Sequence, residues 1–546
     1  MTDKIQGLIT ARDEFLFPDQ ECGVMPERLK VAMARNGKPG IQVLACSGGS
    51  QIEVSLVGDG FGAQWFQMIP VPVEYNTGDG QEQGGAMVIL PDEKPDYAVR
   101  KAPFWVYDCL RPLSSGRADV KDGMGAVYLC LVPEEEIRPG THELHIEIET
   151  AEGRHSCELQ VRVYDVEIPE GNFQVTNWFS LESISRFHHV EPGCAEYGAY
   201  VRKYADAMRR AKQTMFYLEL DQRCVVSRDP WEFDFSYLES LIEIFFEAGM
   251  ERLEIGPLLS RGFLEDGMPD MYTSSFRCAM APDVDVDSLK GYRISSLFVK
   301  TLAEFLKSHG WENKVVFHIH DEPDVHVKDE AGLEARKRQY FQTAAILKKY
   351  LPKARVIEAV KTTQFRGGVD IWVPVTSSFE EQKEEFLQMM ELGEEVWSYV
   401  CCVPEGNWLN RFLDDAVIHS RLLFWGFEKD GISGYLHWGF NVFQLGLNPF
   451  EGTSCPNHTG IGTNFPCGDA FIVYPGTDGP WISMRLEEQR RGVEDAELLR
   501  CLREVHPAKH DQLICRLFRS NFDYEDDPDV FGEVYEEVLR ELESHR

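Results

Sequence analysis

One cluster in the chain combines residue types that could act on a substrate together: His318, His320, Asp321, Glu322 and Asp324, with Pro323 set among them. A carboxylic acid can give a proton to a leaving oxygen and take one back. Two carboxyls side by side resist double ionisation, so one of them is expected to titrate high. Adjacent Asp-Glu pairs are common in a chain with 90 acidic residues, and most are solvated, so position in the fold must decide the matter. The HxH spacing of His318 and His320 could offer two imidazoles to a metal, yet no further ligands follow at metal-site spacing, and His437 and His458 are isolated. We read His318 and His320 as hydrogen-bonding or packing residues and expect no metal and no cofactor. Trp178, Trp397, Tyr399, Tyr435 and Trp438, with His320, His437 and Asn441 among them, suit a sugar, whose C–H faces stack on rings while its hydroxyls need polar partners. Each of these aromatics could equally be core.

The elements that must position these residues begin near residue 173. Eight strand-like runs, 173–180, 214–220, 252–258, 314–321, 354–360, 369–375, 395–403 and 431–440, alternate with amphipathic helical stretches at 195–213, 235–249, 288–310, 334–351, 380–393 and 414–431. Eight such units without a GxGxxG after the first strand predict a (β/α)8 TIM-like barrel over residues 171–500, with a short fifth connection at 361–368. Active sites of such barrels sit at the C-terminal ends of the strands, where the fourth run delivers Asp321 and Glu322. Residues 1–170 read instead as period-two runs, among them 41–46, 51–58, 125–133, 142–150 and 155–169, and predict an antiparallel β-sandwich closed by Ile168-Pro169-Glu170-Gly171. Residues 501–546 read as a helical C-terminal extension packing on the barrel.

Glycosidic cleavage usually draws two carboxylates from separate strands, about 5–5.5 Å apart for retention and about 6.5–9.5 Å for inversion. An adjacent pair fits a different scheme. If the sugar carries a 2-acetamido group, its carbonyl oxygen can attack the anomeric carbon. One enzyme carboxylate then orients the amide while its neighbour serves as acid and base. Beside this one stand a metal-dependent hydrolase, whose activity a chelator would abolish, and two further alternatives. A sugar without the acetamide would need a nucleophile from another strand end, for which Glu219 and Glu358 are placed; a non-catalytic carbohydrate-binding protein would need none.

With 55 basic and 90 acidic residues the formal charge is −35, which argues against nucleic acid and anionic membrane as partners. No run is long and apolar enough to span a bilayer, and no signal peptide is visible. The fourteen irregularly spaced cysteines read as reduced thiols of a cytoplasmic protein. The expected partner is a small oligosaccharide or glycoside; the residues do not specify an oligomeric state.

The blocks HIHDEP (318–323), GYLHWGFN (434–441), YPG (474–476) and SMRLEEQRRGVEDAELL (483–499) resemble the glycoside hydrolase family 123 / DUF4091 group over about residues 173–500. That resemblance implies a retaining exo-β-N-acetylgalactosaminidase using the acetamido-assisted route, with Asp321 orienting the acetamide and Glu322 as general acid/base. His437 stands where the family pattern often has Tyr. Arg485, Glu487, Arg491 and Asp495 read as an ion-paired helix start rather than as catalytic groups.

Overall fold

The computed structural model describes residues 5–79, 87–459 and 461–545. The first part of the chain forms most of a thirteen-stranded sheet. Met124–Pro133 lies between Gly40–Cys46 and Phe61–Val73, antiparallel to both. Arg117–Lys121 pairs with Met124–Pro133 on one side and Gln51–Val57 on the other, so it joins the two halves of the sheet. Alternation in Gly140–Thr150 buries Leu144, Ile146 and Ile148, which share one apolar core with Ile41, Val43 and Leu129 of the other half. The pairing departs from the expected antiparallel pattern at one place: Gly153–Tyr164 runs parallel to Arg28–Ala34. A parallel neighbour needs a long crossover, and the intervening strands provide it.

All eight expected parallel strands are present beyond residue 173, each within its expected range. They are Gln174–Asn177, Met215–Glu219, Arg252–Gly256, Val315–Phe317, Arg355–Val360, Ile371–Pro374, a seventh broken at Trp397 into Glu395–Val396 and Ser398–Tyr399, and Gly434–His437. From the second to the first half of the seventh, each is hydrogen-bonded to the next in chain order. The second half of the seventh pairs with the eighth, and the eighth with the first. A bridge between Val375 and Tyr399 and a 3.0 Å bond from Thr214 N–H to the Val175 carbonyl connect what remains.

The fourth strand keeps three residues of the expected eight. His318 N–H still donates to the Ile255 carbonyl at 2.9 Å; past it the chain leaves the ladder, and the Ile319 carbonyl accepts from the N–H groups of both Leu258 (3.0 Å) and Leu259 (2.9 Å). The next helix, Glu330–Tyr350, starts earlier than its apolar periodicity suggests because Asp329 caps it, accepting from Gly332 N–H at 2.7 Å. Residues 361–370 contain no helix. The seventh connection is helical only over His419–Asp430, because Asp414 is drawn away: its carboxylate takes hydrogen bonds from Thr77 N–H (2.8 Å), Thr77 Oγ1 (2.6 Å) and Asn76 Nδ2 (3.1 Å).

The parts of the chain interlock more than their boundaries in sequence suggest. A hairpin of Tyr474–Pro475 and Pro480–Ser483 adds to the thirteen-stranded sheet through Ile482–Leu110 and Ser483–Cys109 pairing. Residue 500 lies inside the helix Met484–Val505, so no element ends there. That helix is ion-paired along its own face, Glu487 with Arg490 and Arg491 with Glu488, and also to remote partners: Arg485 to Asp108, Glu487 to Arg210, Arg491 to Asp13, and Asp495 to Arg421. Arg421 is buried and joins Asp495 (2.6 and 2.8 Å) to Asp13 (2.7 Å). Arg421→Ala leaves two buried carboxylates without their shared cation. We expect a loss of about 3–5 kcal/mol, read as a lower urea midpoint of unfolding.

Candidate active site

Beyond the fourth strand the backbone amides of Ile319 and His320 have no ladder partner. Both donate to one carboxylate oxygen of Glu358, at 3.2 and 3.1 Å, and Tyr340 OH donates to the same atom at 2.8 Å. Glu358 comes from the middle of the fifth strand and is fully buried. Its carboxylate therefore anchors the two residues that precede Asp321.

The chain then makes a constrained turn. Glu322 has φ 49°, in the left-handed region that a residue with a Cβ rarely adopts. Arg261 donates to the Glu322 carbonyl at 2.8 Å. The buried Arg336 guanidinium caps the carbonyls of Pro323 (3.1 Å) and Val325 (2.7 Å), and Asp324 accepts from the amides of Lys361 (2.9 Å) and Thr362 (2.6 Å). Donors from three segments thus hold this turn.

Asp321 and Glu322 open into a cavity of about 590 Å³. Trp178, His320, Tyr399 and Trp438 line it too, as do His318, Tyr217, Glu219, Arg261 and Phe263. Trp178 and Tyr217 stack with centroids 4.7 Å apart and form one aromatic wall. Trp438 is held from behind by the buried Asp469, whose two oxygens each accept from its Nε1–H at 3.2 Å. Asp321 is exposed; Glu322 is half-buried, and Tyr399 OH donates to its Oε1. Burial and the charge of Asp321 push the Glu322 carboxyl up to about 7, against the pull of Tyr399 and Arg261.

The floor beneath this pair is buried. Burial pushes the Glu254 carboxyl up to about 8 and that of Glu358 well above the usual range, and it pushes the His318 ring down. His318 Nδ1 lies 3.2 Å from Glu358 Oε1, and burial disfavours the charged form of each. Glu254 Oε2 accepts from Trp178 Nε1–H at 3.0 Å, which fixes the aromatic wall. His320 is held neutral by burial and by Arg261 and Arg336, and it stacks on Phe276. Among the described residues, neither His318 nor His320 belongs to a three-ligand cluster.

Four residues expected at the site lie outside the cavity lining. Trp397 packs deep among the strands with Met215, Val316 and Ile357, over Gly434, where no side chain would fit. Tyr435 and His437 share a face of the eighth strand, and Tyr435 packs outward against Phe424 and Phe427. His437 Nδ1 accepts from Arg411 (2.6 Å) and from Gly439 N–H (3.0 Å), so it braces the strand end. Asn441 ties that strand end to the first, accepting from Ser180 N–H at 2.8 Å. Glu219 lines the cavity, whereas Glu358 does not reach it. Sequence reasoning passed over Tyr217, although its place on the second strand, two residues before Glu219, carried the signal.

Residues 178–502 match the description "Glycoside hydrolase 123, catalytic domain". The chain belongs to glycoside hydrolase family 123. Its fold is similar to that of a family 123 glycoside hydrolase from Clostridium perfringens, described in connection with glycolipid glycan hydrolysis, with a TM-score of 0.72 at 13% identity over 99% of this chain and 98% of that one. A family 39 glycoside hydrolase from Bacteroides cellulosilyticus is also similar, at a TM-score of 0.36 and 11% identity, covering 86% of this chain and 81% of that one. No curated protein matches the sequence. This family 123 enzyme is a glycosidase, and among its described residues no helix is long and apolar enough to cross a membrane.

Glu358→Leu would strand two buried amides and the Tyr340 hydroxyl. We expect roughly 3 kcal/mol or more of lost stability in urea unfolding. We also expect glycosidase turnover about a hundredfold lower, because the segment carrying Asp321 and Glu322 shifts.

Proposed function

We propose that this family 123 enzyme is a retaining exo-β-N-acetylgalactosaminidase that uses its substrate's own acetamido group as nucleophile. Glu322 would protonate the glycosidic oxygen as the acetamido carbonyl oxygen attacks the anomeric carbon and the aglycone leaves. Asp321 would accept the amide N–H and balance the positive charge of the forming oxazolinium ring. Glu322, now ionised, would take a proton from water, whose oxygen opens the ring at the anomeric carbon with net retention. One observation carries this reading: Glu322 is poised near neutrality, inside the cavity, directly beside a second carboxylate that lines it. The aromatic wall of Trp178 and Tyr217 and the braced Trp438 supply the stacking faces a sugar ring needs.

The scaffold in this proposal is a closed (β/α)8 barrel, supported by the cyclic pairing of the eight strands, behind an N-terminal β-sandwich over residues 1–170. The helical extension would begin within Met484–Val505 rather than at residue 501. A second reading rests on Glu219, which lines the same cavity and could serve as nucleophile toward a sugar without the acetamide.

Aryl 2-acetamido-β-galactoside should be cleaved in preference to the plain β-galactoside, and Glu322→Gln should lower turnover about 10²–10⁴-fold. Asp321→Asn should lose turnover as well, and a thiazoline mimic of the oxazoline should inhibit. Equal cleavage of both sugars with no thiazoline inhibition would favour Glu219. The first step needs Glu322 protonated, so activity should fall as pH rises through about 7. Tyr399→Phe removes a hydrogen bond that stabilises the ionised form, and kcat/KM profiles should show the alkaline limb moved to higher pH.

A further inference from the structure

The chain's last helix, Pro528–Ser544, packs against Met484–Val505, and both end at one spot far along the sequence from the catalytic pair. His506 is the residue that closes the first helix and His545 the one that closes the second. We propose that His506, Glu541 and His545 bind one divalent transition-metal ion, zinc by the character of the ligands, as a clip that fastens the final helix to the body of the enzyme.

One nitrogen from each histidine and one Glu541 carboxylate oxygen lie within 4.8 Å of one another. His545 Nδ1–H donates to the Glu541 carbonyl at 2.8 Å, which leaves Nε2 with its lone pair free. Metal-binding imidazoles are commonly fixed in this way, by a hydrogen bond from the nitrogen that does not ligate.

His506 Nδ1 points at the carboxylate without bonding to it. It lies 3.6 Å from Glu541 Oε2, too long for a hydrogen bond, and it has no hydrogen-bond partner although little solvent reaches it. One turn back, Glu537 engages Arg516 (2.6 Å) and Lys509 (3.5 Å), while among the described residues Glu541 pairs with neither Lys nor Arg. Two imidazoles and a carboxylate are a zinc ligand set, with water completing a tetrahedron. Zinc–ligand bonds of about 2.0–2.1 Å need ligand atoms about 3.4 Å apart, so the ring of the exposed His545 would swing inward by about 1 Å.

The test uses the full chain, dialysed against chelator and titrated with zinc chloride by calorimetry, with bound metal counted by mass spectrometry. We expect about one equivalent bound and a thermal midpoint that rises with zinc. His506→Ala, His545→Ala and Glu541→Gln should each weaken binding at least about tenfold and abolish the zinc-dependent rise, with circular dichroism and glycosidase turnover unchanged. If His506→Ala fails to fold, the exposed His545→Ala decides alone. No binding below millimolar zinc, or the same affinity and stoichiometry in the folded variants, would overturn the site.

Discussion

A buried carboxyl that takes three hydrogen bonds on one oxygen sets the geometry of this enzyme. The fourth strand must stop early so that Asp321 and Glu322 can turn into the cavity, and stopping it leaves the amides of Ile319 and His320 without partners in a dry interior. Glu358 answers both at once and is itself fixed by Tyr340. An unpaired buried amide costs more than a made hydrogen bond returns, so the turn can exist only where such an acceptor exists. The left-handed backbone at Glu322 rests on the same logic, with Arg261 and Arg336 holding carbonyls that a relaxed chain would present to water.

The same burial tunes the chemistry. Charges are poorly solvated beneath the pair, so Glu254, Glu358 and His318 are driven toward their neutral forms. Burial, and after it the charge of the neighbouring Asp321, moves the Glu322 carboxyl to about 7. Glu358 could be read from sequence as a nucleophile; its burial and its hydrogen bonds make it a positioning group instead.

Away from the cavity, ion pairs stitch the long helix Met484–Val505 to parts of the chain hundreds of residues away. Arg485 is fully buried against Asp108 of the first sheet, and its remaining N–H groups reach the carbonyls of Gly468 and Phe471. Breaking such a buried pair on one side leaves an uncompensated charge, so the two ends of the chain are coupled.

Local periodicity, carried by residues two or three to four apart, was enough to find the eight strands and most of the helices. It put Asp321 and Glu322 past a strand end at the cavity, with Trp178, Tyr399 and Trp438, each of which follows or ends a strand on its inward side. It failed at the eighth strand, where Leu436 faces the interior and Tyr435 and His437 therefore face out; alternation says that neighbours oppose each other but not which faces inward. It failed as well at Trp397, which points inward but too deep. Depth along a strand, the inward parity of each strand and the remote partners of Arg485, Asp495 and Glu358 depend on which segments meet, and sequence proximity carries no record of that. Tertiary packing alone decided them, because only contact with water or its exclusion distinguishes one side of a strand from the other.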